Sequence, residues 1–298
     1  MGVAPTLKPE GLAAFLQARD AAEPAVAADM RSQLYPGTPG AGAVVLLHGL
    51  TASPPAWRAV AEALAARGRT VVVPRLLLHG HGDRMTEALR GIRAQALIDD
   101  VAAIVRVVAE LGEELTIAGH SLGATLALDA ASHAPQAARV VAIAPFLGIA
   151  GVPHEVHPLL RGALALAPNV FLWWDPVLRE RLEPAHGYPR YPLAALQAGL
   201  TVADRARSDA HRAPRARAID IVINAAETSV NNRTAQRLAD DWRRAGASIA
   251  VHRLKGLGWS HDIIEPARAP AQLALATLVD IIDGDHSPAD REHHIPPA

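Results

Sequence analysis

The chain has 298 residues, half of them apolar, a formal net charge of −1 and no cysteine. That is enough for one large α/β domain or two small ones, and the charge balance gives neither the basic excess that grips nucleic acid nor an acidic solvating block. Without cysteine there is no disulfide framework, no thiolate nucleophile and no Cys-ligated zinc.

The opening stretch "MGVAPTLKPEGLAAFLQARD" carries Lys8, Glu10, Arg19 and Asp20 and no continuous apolar core, so it does not read as a signal peptide. No apolar run reaches the roughly 18 residues that span a bilayer. The expectation is a cytoplasmic protein with no integral membrane segment. Residues 1–42 read as an N-terminal extension packing on the core, with a short helix around residues 12–19 and a turn-rich approach at 35–42. "AVVLLHG" is a short apolar run stopped by glycine, which suits a strand buried on both faces. "PPAWRAVAEALAARG" places Trp57, Val60, Ala61 and Leu64 on one helical face and ends at Gly68. "TVVVP" is a second buried strand, stopped by Pro74.

"LLLHGHGDR" follows, with His79, His81 and Asp83 at alternate positions. The spacing resembles the H-x-H-x-D run of metallo-β-lactamase-type hydrolases. Such a site wants a further histidine after the aspartate, where this chain has Arg84, so the expected metal content is none. His79 and His81 are instead expected to hold the loop by hydrogen bonds.

Leu97, Ile98, Val101, Ile104, Val105, Val108 and Leu111 then make a helical stripe closed by Gly112. "ELTIAG" reads as a strand, "LGATLALDAASHA" as a helix and "RVVAIAP" as a strand. The rhythm stops over residues 148–212, a Pro-rich segment with two of the five Trp and two of the three Tyr. It resumes with strand "AIDIVIN", a helix through Leu238 and Trp242, strand "SIAVHRL" and helix "AQLALATLVDIID". Strand and helix in alternation imply a mostly parallel sheet covered on both sides. The division is therefore an α/β core at 43–147 and 213–283, an inserted cap at 148–212 and a polar, flexible tail at 284–298.

"GHSLG", residues 119–123, matches G-x-S-x-G directly after a strand and directly before a helix. There the glycines allow a tight turn, and Ser121 is held in a strained conformation with its hydroxyl exposed. With this motif and "LLHGLTASPPAWRAVAEALAARGRTVVVPRL", the chain resembles α/β-hydrolase-fold serine hydrolases of the carboxylesterase and monoacylglycerol-lipase branch, over roughly residues 43–283.

The resemblance implies an α/β-hydrolase fold with a cap. It also implies a base, His261 in "LKGLGWSHDIIEP", between a late strand and the last helix. The implied orienting acid is Glu227, where the family usually carries Asp. Asp220 sits early in its strand, at the wrong end of the sheet, and Asp262 adjoins the base. The backbone N–H groups of Leu50, after "HG", and Leu122, after the nucleophile, are the expected oxyanion donors. The family turn P-x-L-x-G-H-G aligns with Pro74, Leu76, His79 and Gly80, but Leu78 replaces its glycine, so that loop's backbone should differ locally. Phe146, Trp173 and Trp174 are candidate substrate contacts. The expected activity is hydrolysis of small to medium apolar carboxylic esters with no cofactor. Amide, thioester or carbon–carbon bond hydrolysis by the same triad, and a non-catalytic ligand-binding protein, are the alternatives.

Overall fold

The computed structural model describes residues 7–181, 184–208, 210–284 and 289–296. In chain order it has α1 (Pro9–Ala21), β1 (Gln33–Tyr35), β2 (Ala43–Leu47), α2 (Arg58–Ala66), β3 (Thr70–Val73), α3 (Ala94–Ala109), β4 (Leu115–His120), α4 (Leu122–His133) and β5 (Ala137–Ile143). An insertion follows. It holds α5 (His157–Leu166), the antiparallel pair β6 (Phe171–Trp173) and β7 (Arg190–Pro192), and α6 (Leu193–Ser208). Then come β8 (Ala218–Asn224), α7 (Asn232–Arg244), β9 (Ile249–Lys255), α8 (Ala269–Asp283) and β10 (Arg291–His294).

One 8-stranded sheet runs β1-β3-β2-β4-β5-β8-β9-β10, and only β1 is antiparallel to its neighbour. Every residue of β2, β3 and β4 is buried, which is why these strands read as unbroken apolar runs. Alternation is still present. Val45 and Leu47 face the core shared with α3, α4, α6 and α7, while Val44 and Leu46 face the core shared with α2 and α8. Because β2, β4, β8 and β9 are parallel, the turns that follow them all leave one edge of the sheet, where ligands of such folds bind.

Within the polar tail the described residues 289–296 depart from their reading as flexible. Arg291–His294 pairs in parallel with β9 as the last strand. Asp290 accepts the Val251 N–H at 2.8 Å, Lys255 meets Glu292 at 2.7 Å, and Ile295 is buried. The sequence hid this because an exposed edge strand needs backbone partners and little apolar surface of its own.

The N-terminal segment is clamped by charge. Leu12 and Leu16 are buried against the α3 side of the core. Asp20 and Glu23 hold the guanidinium of Arg75, which is fully buried, at 3.1 and 3.0 Å. Glu23 also accepts the N–H of Leu78 at 3.1 Å. Leu78 has φ +65°. The leucine thus adopts the left-handed conformation that glycine takes freely, where a departure of the loop's path was expected. Two of its own polar groups are tied down there: its N–H by Glu23, and its carbonyl by the Tyr188 hydroxyl at 3.3 Å. Nearby, His79 Nδ1–H donates to Leu77 O at 2.8 Å and His81 Nε2 meets Glu23 Oε2 at 3.2 Å. Among the described residues no group of three or more His, Asp or Glu side chains is placed to hold a metal ion.

Candidate active site

Ser121 stands between the end of β4 and the start of α4 with φ 53° and ψ −115°. Only close backbone approach makes this turn. A Cβ on Gly119 would lie 2.2 Å from Gly123 O, and one on Gly123 would lie 2.1 Å from Leu47 O. The turn is tied to its neighbours by backbone hydrogen bonds. The Ser121 N–H donates to Ile143 O at 3.0 Å, and its carbonyl accepts from Thr125 N at 3.1 Å and Phe146 N at 3.2 Å. Strain of this kind persists only where the surroundings over-determine it.

The structure brings three of the predicted residues into one row. His261 Nε2 is 2.9 Å from Ser121 Oγ, and His261 Nδ1 is 2.6 Å from Glu227 Oε1. A carboxylate oxygen accepts, so Nδ1 carries the proton, and Nε2 is left to accept from the serine hydroxyl. The Glu227 side chain is fully buried, while His261 keeps a quarter of its surface open. The competing acids lie elsewhere or make other contacts. Asp220 pairs with His252 at 2.8 Å and Arg139 at 2.5 Å, and the Asp262 carbonyl accepts the Ser260 hydroxyl at 3.2 Å.

Of the two expected backbone donors, Leu122 follows the serine in the chain, and Leu50 follows Gly49, on which a Cβ would lie 3.3 Å from Ser121 Cβ. Among the described residues neither the Leu50 nor the Leu122 N–H has a hydrogen-bond partner. His48 aims the first of them. Its Nε2 accepts the Leu76 N–H at 3.0 Å, so its Nδ1 is protonated and donates to Gly49 O at 2.9 Å. Gly49 C=O and Leu50 N–H share one trans peptide plane and point in opposite directions. Holding the carbonyl toward His48 therefore turns the N–H away from it. Burial pushes the His48 imidazole well below its ordinary range, so it stays neutral in this role.

Three contributors escaped the sequence reading. His120, inside the G-x-S-x-G motif, donates Nε2–H to His261 O at 2.9 Å, with ring centroids 4.8 Å apart. Burial, reinforced by the His261 ring, pushes the His120 imidazole down to about 4. It is therefore a neutral imidazole near neutral pH. Asn224, at the end of β8, donates Nδ2–H to Gly258 O at 2.9 Å and Ser260 O at 2.8 Å. It joins the acid loop to the base loop. Thr51, beside Leu50, has φ +66°. Position inside G-x-S-x-G and at a strand end are weak signals for the first two, and nothing in the sequence marks Thr51.

Of the candidate substrate contacts, Phe146 follows β5, donates its backbone N–H to Ser121 O at 3.2 Å and packs against Gly199 of α6. Trp173 lies under the Arg179 guanidinium, 5.5 Å from its ring centroid. Trp174 donates its indole N–H to Thr51 Oγ1 at 2.8 Å and packs on Tyr191 at 4.3 Å.

No curated protein sequence matches the chain. Several solved structures match its fold. One, from work on LipS and LipT, two metagenome-derived lipolytic enzymes, is 22% identical, covers 88% of this chain and 100% of that chain, and has a TM-score of 0.65. The Paleococcus ferrophilus monoacylglycerol lipase is 21% identical over 86% of this chain and 98% of that chain, with a TM-score of 0.65. A soluble variant of the Saccharomyces cerevisiae monoglyceride lipase is 12% identical over 86% of this chain and 92% of that chain, with a TM-score of 0.66. At these identities the likeness shows a common fold. A model of the alpha/beta hydrolase family matches residues 44–294, and the chain belongs to that family.

Proposed function

We propose that the chain is a serine hydrolase of small to medium apolar carboxylic esters, acting through an acyl-enzyme on Ser121. The observation that carries this is the row Ser121 Oγ, His261, Glu227, with contacts of 2.9 and 2.6 Å. A serine hydroxyl is a poor nucleophile until a base takes its proton. His261 Nε2 is in place to do so as Oγ attacks the ester carbonyl. The imidazolium that results is stabilised by Glu227. The negative charge that develops on the carbonyl oxygen meets the unpartnered N–H groups of Leu50 and Leu122. The alcohol departs with the proton from Nε2. Water, activated by the same nitrogen, then attacks the acyl carbonyl and returns Ser121 and the carboxylic acid.

The ester preference rests on two supports. The matched structures include enzymes described as lipolytic and as monoacylglycerol lipases. The insertion at 148–212, which we read as a cap, is also the source of Leu159, Leu166, Val177 and other exposed large hydrophobic side chains. Such side chains suit an apolar acyl or alcohol group. The test is a series of p-nitrophenyl esters of increasing acyl length, with labelling by a fluorophosphonate probe, on wild type and Ser121→Ala. Turnover and labelling that both vanish in Ser121→Ala are the expected result. Activity that survives the substitution would refute the serine mechanism.

A further inference from the structure

Leu50, the proposed oxyanion donor, lies between two peptide planes. The one before it is held from the body by His48, as described above. The one after it is held from the insertion. Leu50 O accepts the Thr51 Oγ1–H at 2.5 Å, and Thr51 Oγ1 in turn accepts the Trp174 indole N–H at 2.8 Å. Thr51 O accepts the backbone N–H of Tyr188 at 2.8 Å, and Ser53 Oγ–H donates to His186 O at 2.7 Å. The turn that aims Leu50 is thus sewn to the insertion by three hydrogen bonds, two at Thr51 and one at Ser53.

These bonds are made where the backbone needs them. Thr51 is β-branched and sits at φ +66°, a region that such residues occupy only under constraint. It has no glycine's freedom to rest there, so partners must keep it there. Those partners are Trp174 and Tyr188. Both are themselves seated. Trp174 packs on Tyr191 of β7 with centroids 4.3 Å apart, and its backbone N–H donates to Pro189 O at 3.1 Å. The Tyr188 hydroxyl accepts the His81 N–H at 2.8 Å and is buried against the 75–81 loop. The same stretch touches the base loop, where His186 Nε2 meets Glu265 Oε2 at 2.7 Å.

We infer that Trp174 is a positioning residue for the oxyanion donor: through Thr51 it orients Leu50, so the donor pair is complete only while the insertion is seated on the body. The inference rests on the serine-hydrolase reading of Ser121. It gives Trp174 a different role from that of a hydrophobic wall. A wall residue acts on substrate affinity. A residue that orients an oxyanion donor acts on the transition state.

Trp174→Phe tests it, because phenylalanine keeps an aromatic ring against Tyr191 and cannot donate the indole N–H. Removing an oxyanion donor outright lowers turnover by about 10²–10³, and misaiming one should lower it by about 10-fold. The expected result with p-nitrophenyl butyrate is therefore a kcat about 10-fold lower with KM changed by less than about 2-fold. Thr51→Val should reproduce the loss, Thr51→Ser should retain activity, and adding Trp174→Phe to Thr51→Val should lower kcat no further, since both break one chain of bonds. A raised KM with kcat unchanged would make Trp174 a substrate wall and overturn the inference. So would an unchanged enzyme.

A second measurement does not depend on turnover. Amide exchange at Ala52, whose N–H donates to Gly49 O at 3.3 Å, should quicken in Trp174→Phe. Unchanged exchange there would overturn the coupling whatever the activity. A wild-type protein that hydrolyses no ester and takes no fluorophosphonate label would instead sink the functional reading, and the exchange result would still decide the coupling.

Discussion

The length of the Glu227 side chain is set by the geometry. The carboxylate reaches His261 Nδ1 at 2.6 Å. Glu227→Asp removes one methylene and withdraws the carboxylate by about one C–C bond, roughly 1.5 Å. The contact then stretches to about 4 Å, past the range of a hydrogen bond. Glu227→Gln keeps the reach but removes the charge that stabilises the imidazolium. Glu227→Asp costs His261 the contact and Glu227→Gln costs the imidazolium its counter-charge; in either case kcat should fall by about 10²–10⁴, or about 3–5 kcal/mol of barrier. Stability should move differently. Glu227 Oε2 is buried without a hydrogen-bond partner among the described residues, so neutralising the side chain relieves an uncompensated desolvation. The urea midpoint of Glu227→Gln should therefore be unchanged or higher. The assays are p-nitrophenyl butyrate turnover, the rate of fluorophosphonate labelling, and urea unfolding of the same preparations. If both variants keep more than about a third of wild-type kcat, a difference too small for a lost orienting acid, Glu227 does not orient the base.

Three further outcomes are expected. At Leu78 the usual ranking of alanine above glycine should invert, because its φ of +65° penalises any Cβ by about 1 kcal/mol; Leu78→Gly should unfold at higher urea than Leu78→Ala, and the opposite order would show that the loop relaxes. Acid should weaken the fold through buried neutral histidines. Burial pushes His79 and His120 each down to about 4 and His48 well below its ordinary value, so below about pH 6.5 the unfolded chain binds more protons than the native one. Their stabilisation is present in full above about pH 6.5 and fades as pH falls toward 4, by up to about 3 kcal/mol for each of His79 and His120. Urea unfolding at a series of pH values checks it, and a stability flat from about pH 7 to 4.5 would contradict it. Last, Asn224→Ala leaves Gly258 O and Ser260 O without the amide that they accept from. The loss should be roughly 2–4 kcal/mol of stability, together with a lower kcat at nearly constant KM. A wild-type kcat would show that the base loop holds itself.

Much of the architecture is local and could be read in the sequence. Continuous apolar runs such as "AVVLL" and "TVVV" gave buried parallel strands because both faces of the sheet are covered. The β10 pairing escaped because "REHH" satisfies an edge through its backbone and His252–His293 and Lys255–Glu292 contacts, none of which has an apolar period to read. Leu78 was legible as an anomaly but not as a strained residue, since its tethers come from Glu23 in the N-terminal segment and Tyr188 in the insertion.

The sequence by itself determined the order of the central strands and helices from β2 to β5 and β8 to α8 and the tight turn around Ser121, because periodicity and glycine sterics act over a few neighbouring residues. Only the tertiary structure decided what the site consists of in space. His261 lies 140 positions from Ser121 and 34 from Glu227. Trp174 lies 123 positions from the threonine it holds. Contacts across such separations exist only once the parallel sheet has brought its strand ends to one edge and the insertion has settled on them. Local pattern carries no record of that distance geometry.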